Sequence, residues 1–335
     1  MTPVIDMVPP AGLDEFLTRH GWNDANISPV AGDASFRRYF RVNSATRGKA
    51  ILMDAPPPHE DPQPFLDIAQ YLTGHQFRAP EIYGTDLTRG LVLLEDFGDR
   101  RMREHLDDHP EDESQIYRAA IDTIVRLAGT PAADAQPYDM ATYLREVQLL
   151  TEWYMPAMGL SCDANAFDQM WVDALAPLAS CQDVTVLRDY HAENIMLLDD
   201  GEQGIIDFQD ALVGHPAYDL VSLLQDARRD VPPQIETAMI ARFATARGLD
   251  LAAFQASYAA LGALRSLRIM GIFARLCLDG GKPKYLSLIP RVWGQLQANL
   301  SHPALADLRA ACDRFLPAPT DEALHRMRSQ CSPSR

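Results

Sequence analysis

Two short segments carry side chains whose types and spacing suit the transfer of a phosphoryl group. One is Arg188-Asp189-Tyr190-His191-Ala192-Glu193-Asn194; the other is Ile206-Asp207-Phe208-Gln209-Asp210. The reaction asks for few groups, tightly positioned. A carboxylate accepts the acceptor hydroxyl's proton, while an amide oxygen and a second carboxylate hold magnesium on the nucleotide phosphates. Asp189 is the candidate base, and Asn194 and Asp207 are the candidate magnesium ligands, both offering the hard oxygen donors that this ion prefers. Asp-x-x-x-x-Asn alone arises by chance in many chains of this length. Order gives it weight. Two β-like runs, 195–198 and 204–208, follow directly and are joined by Asp199-Asp200-Gly201, a hairpin signal. Asn194 opens that hairpin and Asp207 closes it.

The surrounding elements divide the chain into two textures. Up to about Gly98 it is β-rich, with strand-like runs at 36–42, 50–53 and 91–94 and short helices at 13–20 and 65–72. Asp54-Ala55-Pro56-Pro57-Pro58 stops the second strand, because consecutive prolines supply no ladder donors. Beyond residue 100 helices dominate. Ile116, Ala120, Ile121, Ile124 and Leu127 form one apolar stripe, ended by Gly129 and Pro131. Further helices are expected over 141–155, 165–179 and most of the chain after 217. The expectation is an α+β chain with a small β-rich lobe, 1–98, and a larger helical lobe, 99–335, containing the hairpin.

The sequence resembles the aminoglycoside phosphotransferase and choline kinase branch of the protein-kinase-like fold, and within it the bacterial anomeric kinases of N-acetylmuramate and N-acetylglucosamine. GDASFRRYFRV (32–42), MDAPPP (53–58), LLEDFGD (93–99), RDYHAEN (188–194), IDFQDALVGHPAYDL (206–220) and GIFARLCLDGGKPKYL (271–286) carry the likeness over nearly the whole chain. The resemblance implies an ATP- and magnesium-dependent kinase of an amino sugar, acting in cell-wall recycling. It implies that 94–97, with Glu95 and Phe97, faces adenine, and that Asp219 braces the catalytic loop. An aminoglycoside, choline or homoserine acceptor is the alternative within the class. An inactive kinase-like binding module is the alternative outside it.

Departures from the family pattern fall on the phosphate side. Leu187 stands where a histidine is usual. The phosphate-covering loop has one glycine, Gly32, followed by Asp33-Ala34-Ser35, so Ser35 and nearby backbone amides are its candidate cradle. No lysine sits within 50–53. Lys49 lies at the strand's start, and Arg37, Arg38 and Arg41 are alternative phosphate partners, since arginine grips phosphate in bidentate fashion. Asp67 and Glu60 are candidate acidic partners. His191 reads as loop packing, and Trp153 and Tyr154 as core. Arg265, Arg268 and Arg275 share one helical face, expected to be solvated or ion-paired.

Composition sets the outer bounds. Forty-six acids against 30 bases leave a net charge of −16, which argues against a nucleic-acid surface. No window approaches an uninterrupted membrane span. The acidic, proline-bearing start lacks the pattern of a secretory leader, so a cytoplasmic location is expected. Five cysteines without a CxxC pair suggest reduced thiols rather than a disulfide or zinc framework. Oligomeric state is not readable.

Overall fold

The computed structural model describes residues 8–30 and 37–332. By contacts the chain divides into two compact units. One runs up to His105 and includes Glu193–Asp210; the other comprises Leu106–Ala192 and Ala211–Arg335.

The first unit is built on a five-stranded antiparallel sheet in the order β1-β2-β3-β5-β4. Its strands are β1 (Asn26–Val30), β2 (Arg38–Ser44), β3 (Gly48–Asp54), β4 (Ile82–Asp86) and β5 (Leu91–Glu95). Alternation decides the two faces. Phe40, Val42, Ala50, Leu52, Leu91 and Leu93 point to one side, where helix α1 (Leu13–Arg19) closes a core with Leu13, Phe16, Leu17 and Trp22. Tyr39 and Arg41 point to the other. β1 and β4, absent from the sequence expectation, are the edge strands. Pro29 sits in the first and a register shift between Ile82 and Gly84 in the second, and both features disguise a strand. Helix α2 (Gln63–Gly74) buries Phe65, Ile68, Ala69 and Leu72, the stripe read from the sequence.

The hairpin of β7 (Ile195–Leu197) and β8 (Gln203–Ile205) also belongs to this unit. The sequence division at 98/99 had placed it with the helices. Backbone bonds explain the grouping: Ile205 N donates to Arg78 O at 2.8 Å, and Leu197 N to Arg100 O at 2.8 Å.

The second unit is mainly helical and carries one further two-stranded ladder, β6 (Val184–Val186) with β9 (Leu212–Gly214). At three residues each, both strands are too short to show a period. The longest helix, Leu251–Leu278, buries residues along most of its length. Gly271 on this helix lets Leu149 approach so closely that a Cβ would lie 2.4 Å from the Leu149 carbonyl carbon. The helix Met140–Leu149 then runs into a π-helical turn, Leu150–Tyr154, in which Tyr154 is fully buried. Among the described residues no helix is long and apolar enough to cross a membrane.

The cysteines depart from expectation. Cys277 and Cys331 form a disulfide, with a Cα separation of 4.8 Å, while Cys162, Cys181 and Cys312 are thiols. Fifty-four residues separate the pair in sequence. The chain's last helix, Asp321–Ser329, returns to the end of Leu251–Leu278, where Ser332 N donates to Leu278 O.

Candidate active site

In the first unit the structure brings Asn194 and Asp207 together. Asn194 Nδ2 donates to Asp207 Oδ2 at 3.3 Å, and Ile206 N donates to Asn194 O at 3.1 Å. Asp207 is exposed, with its backbone in the left-handed region at φ 60°. That conformation costs a non-glycine residue energy and is concentrated at functional positions. Phe208 is fully buried and anchors the turn by stacking on Phe65 of α2, ring centroids 4.9 Å apart. Gln209 Nε2 donates to Asp207 Oδ1 at 3.0 Å.

Near this pair stand Tyr39, which the sequence did not single out, and two residues that it did, Arg37 and Glu60. Tyr39 lies close enough for its phenol to feel Asp207; burial first, and that carboxylate next, push it up to about 12. Arg37 bonds the same tyrosine and forms an ion pair with Glu60, Nε to Oε2 3.0 Å. An Arg–Glu pair beside the Asp207 turn therefore stands on this face of the sheet. Glu60 had been one of two candidate acids; Asp67, the other, accepts instead from Gln63 of its own helix.

The remaining phosphate-side candidates separate. Arg38 points to the α1 side of the sheet. It pairs with buried Asp54, Nε to Oδ2 2.8 Å, lies over Phe40 and reaches Val8 O, so it is remote from the Tyr39 face. β-Alternation sends Arg38 to the Phe40 face and Arg41 to the Tyr39 face, so these alternative phosphate partners do not share one side of the sheet. Arg41 is engaged by Asp96 at 2.8 Å and Asp99 at 2.8 Å. Lys49 is exposed at the start of β3. Gly32 and Ser35 lie outside the described residues.

The 94–97 segment is rigidly built. Arg78 Nη1 donates to Glu95 Oε2 at 2.7 Å, and the Glu81 N–H reaches the same oxygen at 3.3 Å. The Arg78 guanidinium also covers the Phe97 ring at 4.8 Å. Phe97 also presses on Gly204, where a Cβ would come within 2.6 Å of the ring. Gly204 of β8 is thus a packing glycine for Phe97.

In the second unit Asp189 sits in a loop held from several directions. Asp219, 4 % exposed, accepts from Leu187 N at 2.8 Å and Arg188 N at 2.9 Å. This is the bracing role that the resemblance implied. Burial nevertheless raises Asp219 to about 7 against those two donors. Ser222 Oγ donates to Arg188 O at 2.9 Å, and Tyr190 OH to Ala120 O at 3.0 Å. Arg188, like Asp207, has a left-handed backbone, φ 68°. Burial works against ionisation of Asp189, yet Arg268, then His191, Arg265 and Arg188, outweigh it and hold its carboxyl below the usual aspartate range. His191 is buried and held below the ordinary histidine range, first by desolvation. Arg265 is 4 % exposed and donates to Ser222 Oγ at 2.9 Å. On the face expected to be solvated or ion-paired, Arg265 is thus buried, Arg268 is half-buried and ion-paired with Glu146 at 3.3 Å, and Arg275 is exposed.

A magnesium site can be judged from the donors present. Among the described residues no three His, Cys, Asp or Glu side chains gather in a metal-binding group. One carboxylate and one amide oxygen on adjoining residues suit magnesium, which keeps waters and takes its other ligands from phosphates.

A unit with a small antiparallel sheet and a separate hairpin flanked by Asn194 and Asp207, and a helical unit carrying the braced Asp189 loop, define a two-lobed protein-kinase-like fold. The solved aminoglycoside phosphotransferase APH(2'')-Ib, in its ADP-bound form, has this fold, with a TM-score of 0.58 over 86 % of this chain and 97 % of that one at 15 % identity. The model of the phosphotransferase enzyme family matches residues 26–256. An N-acetylmuramate/N-acetylglucosamine kinase of Caulobacter vibrioides is 36 % identical, over 91 % of this chain and 96 % of its own. A protein of the same name from Pseudomonas aeruginosa is 35 % identical, over 88 % and 91 %. The chain belongs to the phosphotransferase enzyme family.

Proposed function

We propose that the protein is an ATP- and magnesium-dependent kinase of N-acetylmuramate and N-acetylglucosamine, phosphorylating the anomeric hydroxyl in cell-wall recycling. One observation carries the acceptor assignment: relatives with that name share about a third of their residues with this chain over nearly its full length. The cell interior, which supplies ATP, is the proposed location. The binding partner is a small amino sugar rather than a nucleic acid or a membrane.

In this reading Asp189 takes the proton of the acceptor hydroxyl. The acceptor oxygen forms its bond to the γ-phosphorus as the bond to the bridging oxygen breaks, and ADP leaves. Asn194 and Asp207 would hold magnesium, which would neutralise charge on the nucleotide phosphates. Arg37, steadied by Glu60, supplies a phosphate-facing cation in place of the missing strand lysine, with the Gly32 and Ser35 loop completing the cradle. Glu95 and Phe97 border adenine. Catalysis is then mostly positioning and electrostatics. The charge pattern supports a neutral or anionic sugar. Between 260 and 295 Asp279 is the only acid, in a stretch that holds Lys282 and Lys284, against a chain that is acidic overall.

The test incubates the protein with ATP, magnesium and one of N-acetylmuramate, N-acetylglucosamine, kanamycin or choline, and locates phosphate by phosphorus-coupled NMR. Phosphate at the anomeric carbon of the sugars is expected. Phosphate on kanamycin or choline, with both sugars untouched, overturns the acceptor assignment.

A further inference from the structure

The helix Met140–Leu149 places a carboxylate where the proposed chemistry does not call for one. Glu146 is 5 % exposed. A buried carboxylate is costly unless its oxygens are matched by charged or polar donors. Both are matched. Glu146 Oε1 takes Arg188 Nη2 in an ion pair and Arg268 Nε at 3.3 Å, and Oε2 accepts from Tyr138 OH. The aromatic surroundings fix the same two guanidiniums. Arg268 Nη1 donates to Tyr218 OH at 3.2 Å, and the Arg188 guanidinium lies 5.7 Å from the centre of the Tyr138 ring. Tyr138 stacks on Tyr143 at 4.3 Å and leans on Tyr218 at 5.0 Å, so it has no room to swing.

Both arginines matter to Asp189. Arg188 is its chain neighbour, and its backbone is the point at which Asp219 and Ser222 grip the loop. Arg268 acts on the Asp189 carboxylate more strongly than any other cation. We propose that Glu146 is a positioning residue for phosphoryl transfer: it anchors the Arg188 and Arg268 guanidiniums and balances their charge. The inference rests on the reading of Asp189 as the base. With Glu146 neutral, Arg268 would bear on Asp189 without a counterweight and weaken it as a base. Arg188 would lose the anchor that holds its side chain while its backbone is strained. Nucleotide binding, which the proposal assigns to other residues, would be spared.

The experiment is a double-mutant cycle on the full chain with N-acetylglucosamine as acceptor, active sites being counted by nucleotide titration. Glu146→Gln is isosteric and keeps an acceptor for Tyr138. It is expected to lower kcat by about 10- to 100-fold, the scale of a small misplacement of a reacting group, with KM for ATP within about twofold. Glu146→Asp should recover part of the loss. Because Glu146 acts in part through Arg268 and in part through Arg188, the double variant Glu146→Gln/Arg268→Gln should lose clearly less than the product of the two single losses, whereas independent effects multiply. Should Glu146→Gln fail to fold, the cycle runs with Glu146→Asp and the same criterion. A kcat within about threefold of the parent, or losses that multiply, overturns the proposal. Asp189→Asn run in parallel separates the two readings. If it stays active, the assignment of the base fails; if it is dead while Glu146→Gln is healthy, only the role of Glu146 fails.

Discussion

Arg188 and Asp207 share a conformation that only three non-glycine residues adopt among those described, the third being Gln76. Two of the three therefore adjoin or carry proposed chemistry, which fits strain being kept where geometry matters. Asp189→Asn should retain ATP binding but lower turnover by roughly 10²- to 10⁴-fold, the contribution of a positioned general base. Single-turnover kinetics check this, and a variant keeping more than about a third of parental turnover removes Asp189 from the role. Asp207→Ala should instead flatten the magnesium dependence of nucleotide affinity, measured by titration at several metal concentrations. An unchanged dependence would make Asp207 only a turn residue. For the arginines the structure sharpens the expectation. Arg37→Ala should raise KM for ATP more than either Lys49→Ala or Arg38→Ala, since Arg37 alone stands with Tyr39 and the Asp207 turn. Equal effects at 37 and 38 would mean that strand parity does not decide the matter. At this scale Asp189, Asn194 and Asp207 stood out as candidates because their spacing is tied to a hairpin, and the structure brings Asn194 and Asp207 together across it. Glu146 did not, because its two arginine partners are 42 and 122 positions away and no periodicity joins them.

Among the elements, the helices and central strands were readable from periodicity and turn residues, and their ends shifted by only a few positions. The edge strands and the β6–β9 ladder were not, since three- to five-residue strands with Pro29 or a bulge leave no pattern to count. Two elements support predictions of their own. Gly271→Ala would drive a Cβ into the Leu149 backbone, which cannot rotate away. A loss of about 1–3 kcal/mol is expected from the urea midpoint, as for other overpacked sites, and an unchanged midpoint would contradict the close approach. His215 precedes the helix Ala217–Leu224 and accepts from Ala217 N at 3.1 Å. Desolvation lowers it to about 4 from an ordinary 6.5, against the opposing charge of Asp183. Because the unfolded chain takes up that proton first, stability should fall as pH drops from about 6.5 towards 4 and level off below. His215→Asn keeps an acceptor but does not titrate, so urea midpoints across this range should decline less steeply than in the parent. Parallel curves would count against the assignment.

For the whole molecule, the two-lobed plan and the family were visible in the sequence, whereas the grouping of the hairpin and the Cys277–Cys331 pair were not. Both depend on where the chain returns, which neither composition nor local pattern records. The return has a consequence for how the protein can be dissected. Because the first unit includes Glu193–Asp210, the backbone passes from one unit to the other at three places, and the unit is not one continuous stretch of sequence. A fragment ending at His105 would lack the ring that stacks on Phe65, the glycine against which Phe97 packs and the donors that Arg78 O and Arg100 O accept from. Such a fragment should expose aromatic surface and aggregate when expressed alone. Supplying 193–210, either through a short linker after 105 or as a separate peptide, should restore solubility and protection of the β5 amides from hydrogen exchange. By the same logic a single genetic crossover cannot exchange the first unit between two relatives as a cassette. A chimera joined near residue 105 pairs one parent's sheet with the other's hairpin, and its stability depends on whether Phe65, Phe97 and Arg78 find matching partners there.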